Sequence, residues 1–329
     1  MGRLLFAVAA FVAALYAVFR LVFPRRERIA WEEAPRPGKI IELDGEPIHY
    51  VEQGSGPAVI LIHGFGGHTY SFRHQVPVLA RHYRVIAIDL LGFGYSGRPR
   101  DADYGSQAQA ARIVKLMDAL GIGRAALAGH SMGGAVVMRA AANWPGRVEK
   151  LALVASTSGD KVVHLPTLPI VKPFLPAFAR LIGRRILRRS YHDPSKITDE
   201  VWEEYTRPAT IKGSTQALYR MLNDFKKDPP IPFDRITAPV LIIEAAGERV
   251  LPAWMRGRLL KRFPDAARVT IAEAGHLLME EQPEAVSEAL LAFLKAPAAA
   301  KVKPAASRPE PEPEEVTVDA GQALGEARE

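Results

Sequence analysis

The chain has 329 residues, of which 48% are apolar and 24% charged, and a formal charge of +7. That apolar share is too high for a disordered polymer, and the length suits one large domain with an insertion better than two full catalytic domains. The absence of cysteine excludes disulfides, thiol catalysis and Cys-ligated zinc or iron–sulfur sites.

Charge is unevenly placed, with −3 on residues 297–329 and +10 on the rest. No zinc-finger, RNP-like or Lys-rich recognition motif accompanies the basic excess. It therefore points away from nucleic acid and, beside an apolar leader, towards an anionic lipid surface. Residues 4–23, LLFAVAAFVAALYAVFRLVF, are apolar apart from Arg20. Twenty residues at about 1.5 Å each match a hydrocarbon core of about 30 Å. A retained single-pass anchor is expected. Its rivals are an interfacial amphipathic helix and a cleaved signal peptide, but a signal peptide would end in small residues rather than in Arg20, Phe23, Pro24, Arg25 and Arg26. With Arg28 added, these basic residues predict a membrane location with the catalytic domain on the cytoplasmic face. Residues 1–28 thus form the anchor and its basic flank.

Beyond Pro35 and Pro37, residues 39–52 read as two strands around an Asp44-Gly45 turn. Apolar runs at 58–62, 85–88, 125–127, 151–155, 239–243 and 268–271 are further strands. Helical patterns fall at 71–80, 108–120, 133–142, 254–262 and 283–294. This alternation predicts an α/β fold, a mostly parallel central sheet with helices on both faces. The rhythm stops at 157–238, which reads as an inserted helical cap between core segments 29–156 and 239–296. The cap follows a strand end, where α/β sheets place ligands. Residues 297–329, rich in Pro, Glu and Ala, read as an extended tail with nothing to bury.

The chemistry concentrates at Gly129-His130-Ser131-Met132-Gly133, a G-x-S-x-G between a strand and a helix. A serine on such a sharp turn needs neighbours without bulky Cβ atoms, so Ser131 is the candidate nucleophile. His63-Gly64-Phe65-Gly66-Gly67 follows another strand, and the N–H groups of Phe65 and Met132 are the natural oxyanion-hole pair. His276, on the loop before the last helix, is the candidate base. His63 is its rival but better suited to ordering the loop, and His130 is directed away from the reaction by the turn. For the acid, Glu248 lies 28 residues before His276, with Glu244 and Asp160 as alternatives. No metal or organic cofactor is required.

These motifs, with Asp89-Leu90-Leu91-Gly92-Phe93-Gly94-Tyr95-Ser96, Gly275-His276 and Glu281-Gln282-Pro283-Glu284, closely resemble the α/β-hydrolase superfamily over 39–296. The resemblance implies an α/β-hydrolase fold. The family usually has aspartate where Glu248 stands and often glycine where Ala245 stands. Ser131 occupies the position of the attacking aspartate in epoxide hydrolases and haloalkane dehalogenases, which disfavours those chemistries. The resemblance points to membrane-associated esterases, monoacylglycerol-type lipases and carbon–carbon bond hydrolases.

In the cap, Arg180, Arg184 and Arg188 recur every four residues, with Phe174, Phe178, Leu181, Ile182 and Ile186 forming an apolar stripe. Such a helix either meets lipid headgroups and an acyl chain or is an ordinary lid helix with solvated arginines. Trp202, Tyr205, Tyr219, Met221 and Phe225 are candidate pocket residues whose plainer role is packing. The expectation is a serine hydrolase acting on hydrophobic or lipid esters through an acyl-enzyme. The alternatives are a carbon–carbon bond hydrolase, an acyltransferase and a non-catalytic membrane scaffold.

Overall fold

The computed structural model describes residues 27–159 and 175–297. It opens with a hairpin of β1 (Lys39–Leu43) and β2 (Glu46–Gln53). Asp44 and Gly45 connect them with φ of 54° and 79°, the positive pair that a two-residue turn needs to match strand twist. Next come β3 (Ala58–Ile62), β4 (Arg84–Ile88), β5 (Ala125–His130), β6 (Val148–Val154), β7 (Val240–Ala245) and β8 (Ala267–Ile271). The eight strands lie in the order β1-β2-β4-β3-β5-β6-β7-β8. The pairings of β1 with β2 and of β2 with β4 are antiparallel, and those of β3 to β8 are parallel.

The parallel strands are covered on both faces, which explains their near-continuous apolar runs. Ile60, Ile62, Ile86 and Leu127 point to one core, closed by Ile113 and Leu116 of α2 (Ser106–Ala119) and by Val136 and Val137 of α3 (Met132–Asn143). The alternate residues Val59, Leu61, Val85 and Ala87 face the other core, with Val76 and Leu79 of α1 (Gln75–Leu79) and Val286, Leu290 and Phe293 of α9 (Pro283–Lys295). The helix expected at 71–80 divides into a short turn, Thr69–Phe72, and α1. Pro77 accounts for the division, because proline lacks an N–H and is tolerated in the first turn of a helix but not in its interior.

Between β6 and β7 lie α4 (Leu175–Ser190), α5 (Asp199–Thr206) and α6 (Ser214–Lys227). α7 (Ala253–Arg262) follows β7, and the one-turn α8 (Leu278–Glu281), absent from the sequence reading, precedes α9. Polar staples fasten the inserted helices to the core. At the C-terminal end of α6, the Asp228 carboxylate accepts bonds from Ser106 N and Ser106 Oγ, both 2.6 Å, and caps α2. The segment before β1 acts as a strap. Glu27 accepts from Gly213 N at 3.0 Å and Thr215 N at 2.7 Å, Ile29 bridges to Ile211, and Trp31 Nε1 donates to Tyr95 O at 2.8 Å.

The expectation of a single-pass membrane protein with a cytoplasmic catalytic domain is corrected here. No helix among the described residues is long and apolar enough to cross a membrane. Residues 4–23, which prompted that expectation, lie outside the described residues, as do the tail from 298 onward and Asp160.

Replacing Glu27 by Ala removes the carboxylate at the first turn of α6. The expected loss is about 0.5–2 kcal/mol, as for other N-terminal caps, read as a lower urea midpoint with an unchanged slope.

Candidate active site

The site stands at the C-terminal edge of the parallel strands. At the end of β5 the chain turns into α3 through Ser131, whose φ of 51° and ψ of −115° a side-chain-bearing residue rarely adopts. The neighbouring glycines make that turn fit. A Cβ on Gly129 would lie 2.4 Å from Gly133 O, and one on Gly133 would lie 2.5 Å from the carbonyl oxygens of Ile62 and His63. The turn is locked by Ser131 N donating to Val154 O at 3.0 Å and by Ser131 O accepting from Gly134 N at 3.0 Å.

Ser131 Oγ lies 2.9 Å from His276 Nε2, and His276 Nδ1 lies 2.7 Å from Glu248 Oε2. A neutral imidazole here donates from Nδ1 to the carboxylate and accepts the serine proton at Nε2. The other Glu248 oxygen accepts from Val250 N at 2.6 Å and Leu251 N at 3.0 Å, which fixes the acid in place. Burial works against ionisation of Glu248, but the bonds from His276 and the two N–H groups outweigh it and lower its pKa below the ordinary 4.5. Glu244, its rival, stands behind it in the wall of a small cavity with Ser156 and Arg256, and burial raises its pKa. The chain thus brings Ser131, His276 and Glu248 together and leaves Glu244 aside.

His63 and His130, the other two histidines weighed as candidates, are engaged in bonds elsewhere. His63 Nδ1 donates to Gly64 O at 2.7 Å, and its Nε2 accepts from Leu90 N at 3.0 Å. One neutral tautomer satisfies both bonds, and complete burial pushes His63 down to about 4. It joins the loop after β3 to the loop after β4. Asp89 reinforces the junction, accepting from Thr69 N, Tyr95 N and His49 Nδ1 at 2.6, 2.7 and 2.7 Å. His130 Nε2 donates to His276 O at 2.9 Å, with the two rings 4.8 Å apart. Burial drives the His130 pKa well down and keeps the ring neutral beside that of His276.

Gly64 is pressed against Ser131, since a Cβ there would come 3.0 Å from Ser131 Cβ. Phe65 is the next residue of that loop. Met132 is the first residue of α3, a position whose N–H has no intrahelical acceptor. Among the described residues, no three His, Asp or Glu side chains gather as metal ligands would.

Among the cap residues, Met221 is buried with the α2 and α3 core, and Phe225 packs against it. Tyr205 Oη bonds to Ser71 Oγ at 3.0 Å and to Glu280, while Arg184 lies over Trp202 at 5.4 Å. Two acids of α8, Glu280 and Glu281, are buried beside these residues. Glu280 accepts from Arg73 at 2.7 Å and Tyr191 at 2.9 Å. Glu281 accepts from Gly275 N at 2.7 Å, Asp193 N at 2.9 Å and His192 N at 3.0 Å. The only sequence signal for Glu281 was its place in the Glu-Gln-Pro-Glu run after His276.

Residues 59–289 match the model of the alpha/beta hydrolase family, and the chain belongs to that family. It is 30% identical to the hydrolase YugF of Bacillus subtilis, over 80% of this chain and 100% of the relative. It is 28% identical to the 2-hydroxy-6-oxo-6-(2'-aminophenyl)hexa-2,4-dienoic acid hydrolase of Metapseudomonas resinovorans, over 78% of this chain and 90% of the relative. Among solved structures it is similar to the 2-hydroxy-6-oxo-6-phenylhexa-2,4-dienoate hydrolase of Rhodococcus sp. strain RHA1. The TM-score is 0.65 at 26% identity, covering 79% of this chain and 100% of that one.

Two stability predictions follow from this geometry. Ser131→Gly is expected to be about 1 kcal/mol more stable than Ser131→Ala, since both lose the hydroxyl and only glycine adopts this backbone without strain; urea titration of the two variants measures it. The second concerns acid. Glu248 has a folded pKa below its unfolded value, so its contribution is complete above about 4.5 and disappears as the pH falls through the folded value. The stability gap between the native chain and Glu248→Gln should therefore shrink in acid, and a gap constant from neutral pH to about pH 3 would contradict this.

Proposed function

We propose that the chain is a serine hydrolase that cleaves carboxylic esters of hydrophobic acyl groups through an acyl-enzyme. The observation that carries this reading is the continuous hydrogen-bonded line from Ser131 Oγ through His276 to Glu248. His276 Nε2 takes the proton of Ser131 as Oγ attacks the acyl carbon. Glu248 holds the imidazole in the required tautomer and stabilises the imidazolium that forms. The N–H groups of Phe65 and Met132 donate to the oxyanion of the tetrahedral intermediate, helped by the N-terminal end of α3. His276 then protonates the departing alcohol. In the second half it deprotonates water, whose oxygen attacks the acyl carbon; the bond to Oγ then breaks, Oγ takes the proton back from His276, and the carboxylic acid leaves.

Membership of the family supports hydrolysis, and the relatives favour a second reading. Two of the similar proteins named above are dienoic acid hydrolases, at 28% and 26% identity. The same Ser131 and His276 would then act on a ketone conjugated to a dienoate, breaking a carbon–carbon bond.

The test is a hydrolysis-rate profile over esters of two to eighteen acyl carbons, with a 2-hydroxy-6-oxo-dienoate assayed beside them and Ser131→Ala as the blank. The expected result is ester turnover with a maximum at longer acyl chains and a loss of at least about 10³-fold in the variant. Turnover confined to the dienoate would establish the second reading. Ester hydrolysis that survives Ser131→Ala would overturn the mechanism.

A further inference from the structure

We infer that Glu281 is a positioning residue through which the turn at 189–193, at the end of α4, fixes His276 and Glu248 relative to each other. This inference rests on the roles proposed above for Ser131, His276 and Glu248.

Glu281 is buried, only 3% exposed, and its carboxylate is spent on backbone. One oxygen accepts from Gly275 N at 2.7 Å and His192 N at 3.0 Å, and the other accepts from Asp193 N at 2.9 Å. Bonds to an ionised acceptor are stronger than neutral ones. Here they join the residue before His276 to two residues of the inserted helical segment. The residue after His276 is held from the same turn, since Leu277 N donates to Ser190 O at 3.1 Å. Both flanks of the base are therefore anchored to 190–193, one of them through Glu281.

The same turn also reaches the acid. Arg189 Nε donates to Arg249 O at 2.9 Å, on the residue after Glu248. On the other side, a Cβ at Gly247 would lie 2.7 Å from His192 Nδ1, so the ring rests directly on that backbone. At Gly275 a Cβ would come 2.6 Å from both His192 N and Ser190 O. Glycine at 247 and 275 is what allows one turn to seat against both loops. The bonds from His276 to Glu248 and Ser131, at 2.7 and 2.9 Å, leave little slack. A misplacement of about 1 Å can cost about 10²-fold in rate.

The experiment uses the full chain and compares native protein with Glu281→Gln and Arg189→Ala. It measures kcat and KM on the best ester, the rate at which a fluorophosphonate labels Ser131, and the urea midpoint. Glu281→Gln should lower kcat by about 10- to 100-fold, with KM changed less than about 2-fold and labelling slowed in parallel. Arg189→Ala, which removes the exposed bond to the acid loop, should lower kcat by about 2- to 5-fold with an unchanged urea midpoint.

Unchanged kcat in Glu281→Gln overturns the inference. So does a loss that tracks the unfolded fraction while the folded molecules label at the native rate. If that variant does not fold, Arg189→Ala decides, and native kcat in it would be fatal to the idea. Absence of both turnover and phosphonate labelling in the native chain would bring down the reading of the site itself, and this inference with it.

Discussion

Much of this molecule is arranged around one disfavoured backbone conformation, the positive φ of Ser131. A side chain resists that conformation, so the surroundings must hold it. Ser131 N is tied to β6, Ser131 O to the first turn of α3, and Gly129 and Gly133 leave no space in which the turn could relax. The reward is geometric. The hydroxyl stands clear of the sheet beside a helix N-terminus, and the loop after β3 can press Gly64 against it. Strain at one residue thus sets the identity of glycines on two separate segments.

The loops around that turn share a second device. Beyond the C-terminal edge of a parallel sheet, backbone N–H groups have no ladder to join, and burying them unpaired is costly. Here carboxylates take the place of missing strands. Asp89 collects N–H groups from the loops after β3 and β4, Asp228 those at the start of α2, Glu248 those of its own turn, and Glu281 those around Gly275 and His192. Each replaces soft loop contacts with short, directional, charge-assisted bonds. Acid at the reactive centre is therefore one instance of a wider use of acid in this fold, distinguished by an imidazole partner that in turn reaches a serine hydroxyl.

The parts of this arrangement that were legible in the sequence are those that depend on local rules. Continuous apolar runs announce strands buried on both faces, and G-x-S-x-G announces a turn that only small neighbours permit. Glu248 was legible by its position after β7, but the contacts that set it apart from Glu244 were not. They are two N–H groups of its own turn, at Val250 and Leu251, and a ring 28 residues away. Glu281 was illegible as a functional group because its partners His192 and Asp193 lie 89 and 88 residues earlier, and no local periodicity encodes such a pairing. α8 escaped for a related reason, since one turn of four residues is too short for a periodic signature. For Met221, Phe225 and Tyr205 of the inserted helices the plainer expectation, packing, agrees with the structure: Met221 and Phe225 fill the core and Tyr205 is held by Glu280.

The strap before β1 bears on where this protein can be cut. A recombinant fragment trimmed to the sheet would begin near Lys39, and the family match begins later still, at residue 59. Either boundary discards Glu27, Ile29 and Trp31. With them goes the cap on α6 and the lining of a small apolar cluster in which Ala34, Tyr95 and Ile211 are buried. A fragment of that kind would keep every residue of the reactive line while uncovering a sticky patch next to the loop after β4. Poor solubility in a fragment begun near Lys39 would then reflect a misplaced boundary rather than an unstable sheet, whereas one begun at residue 59 also loses β1 and β2.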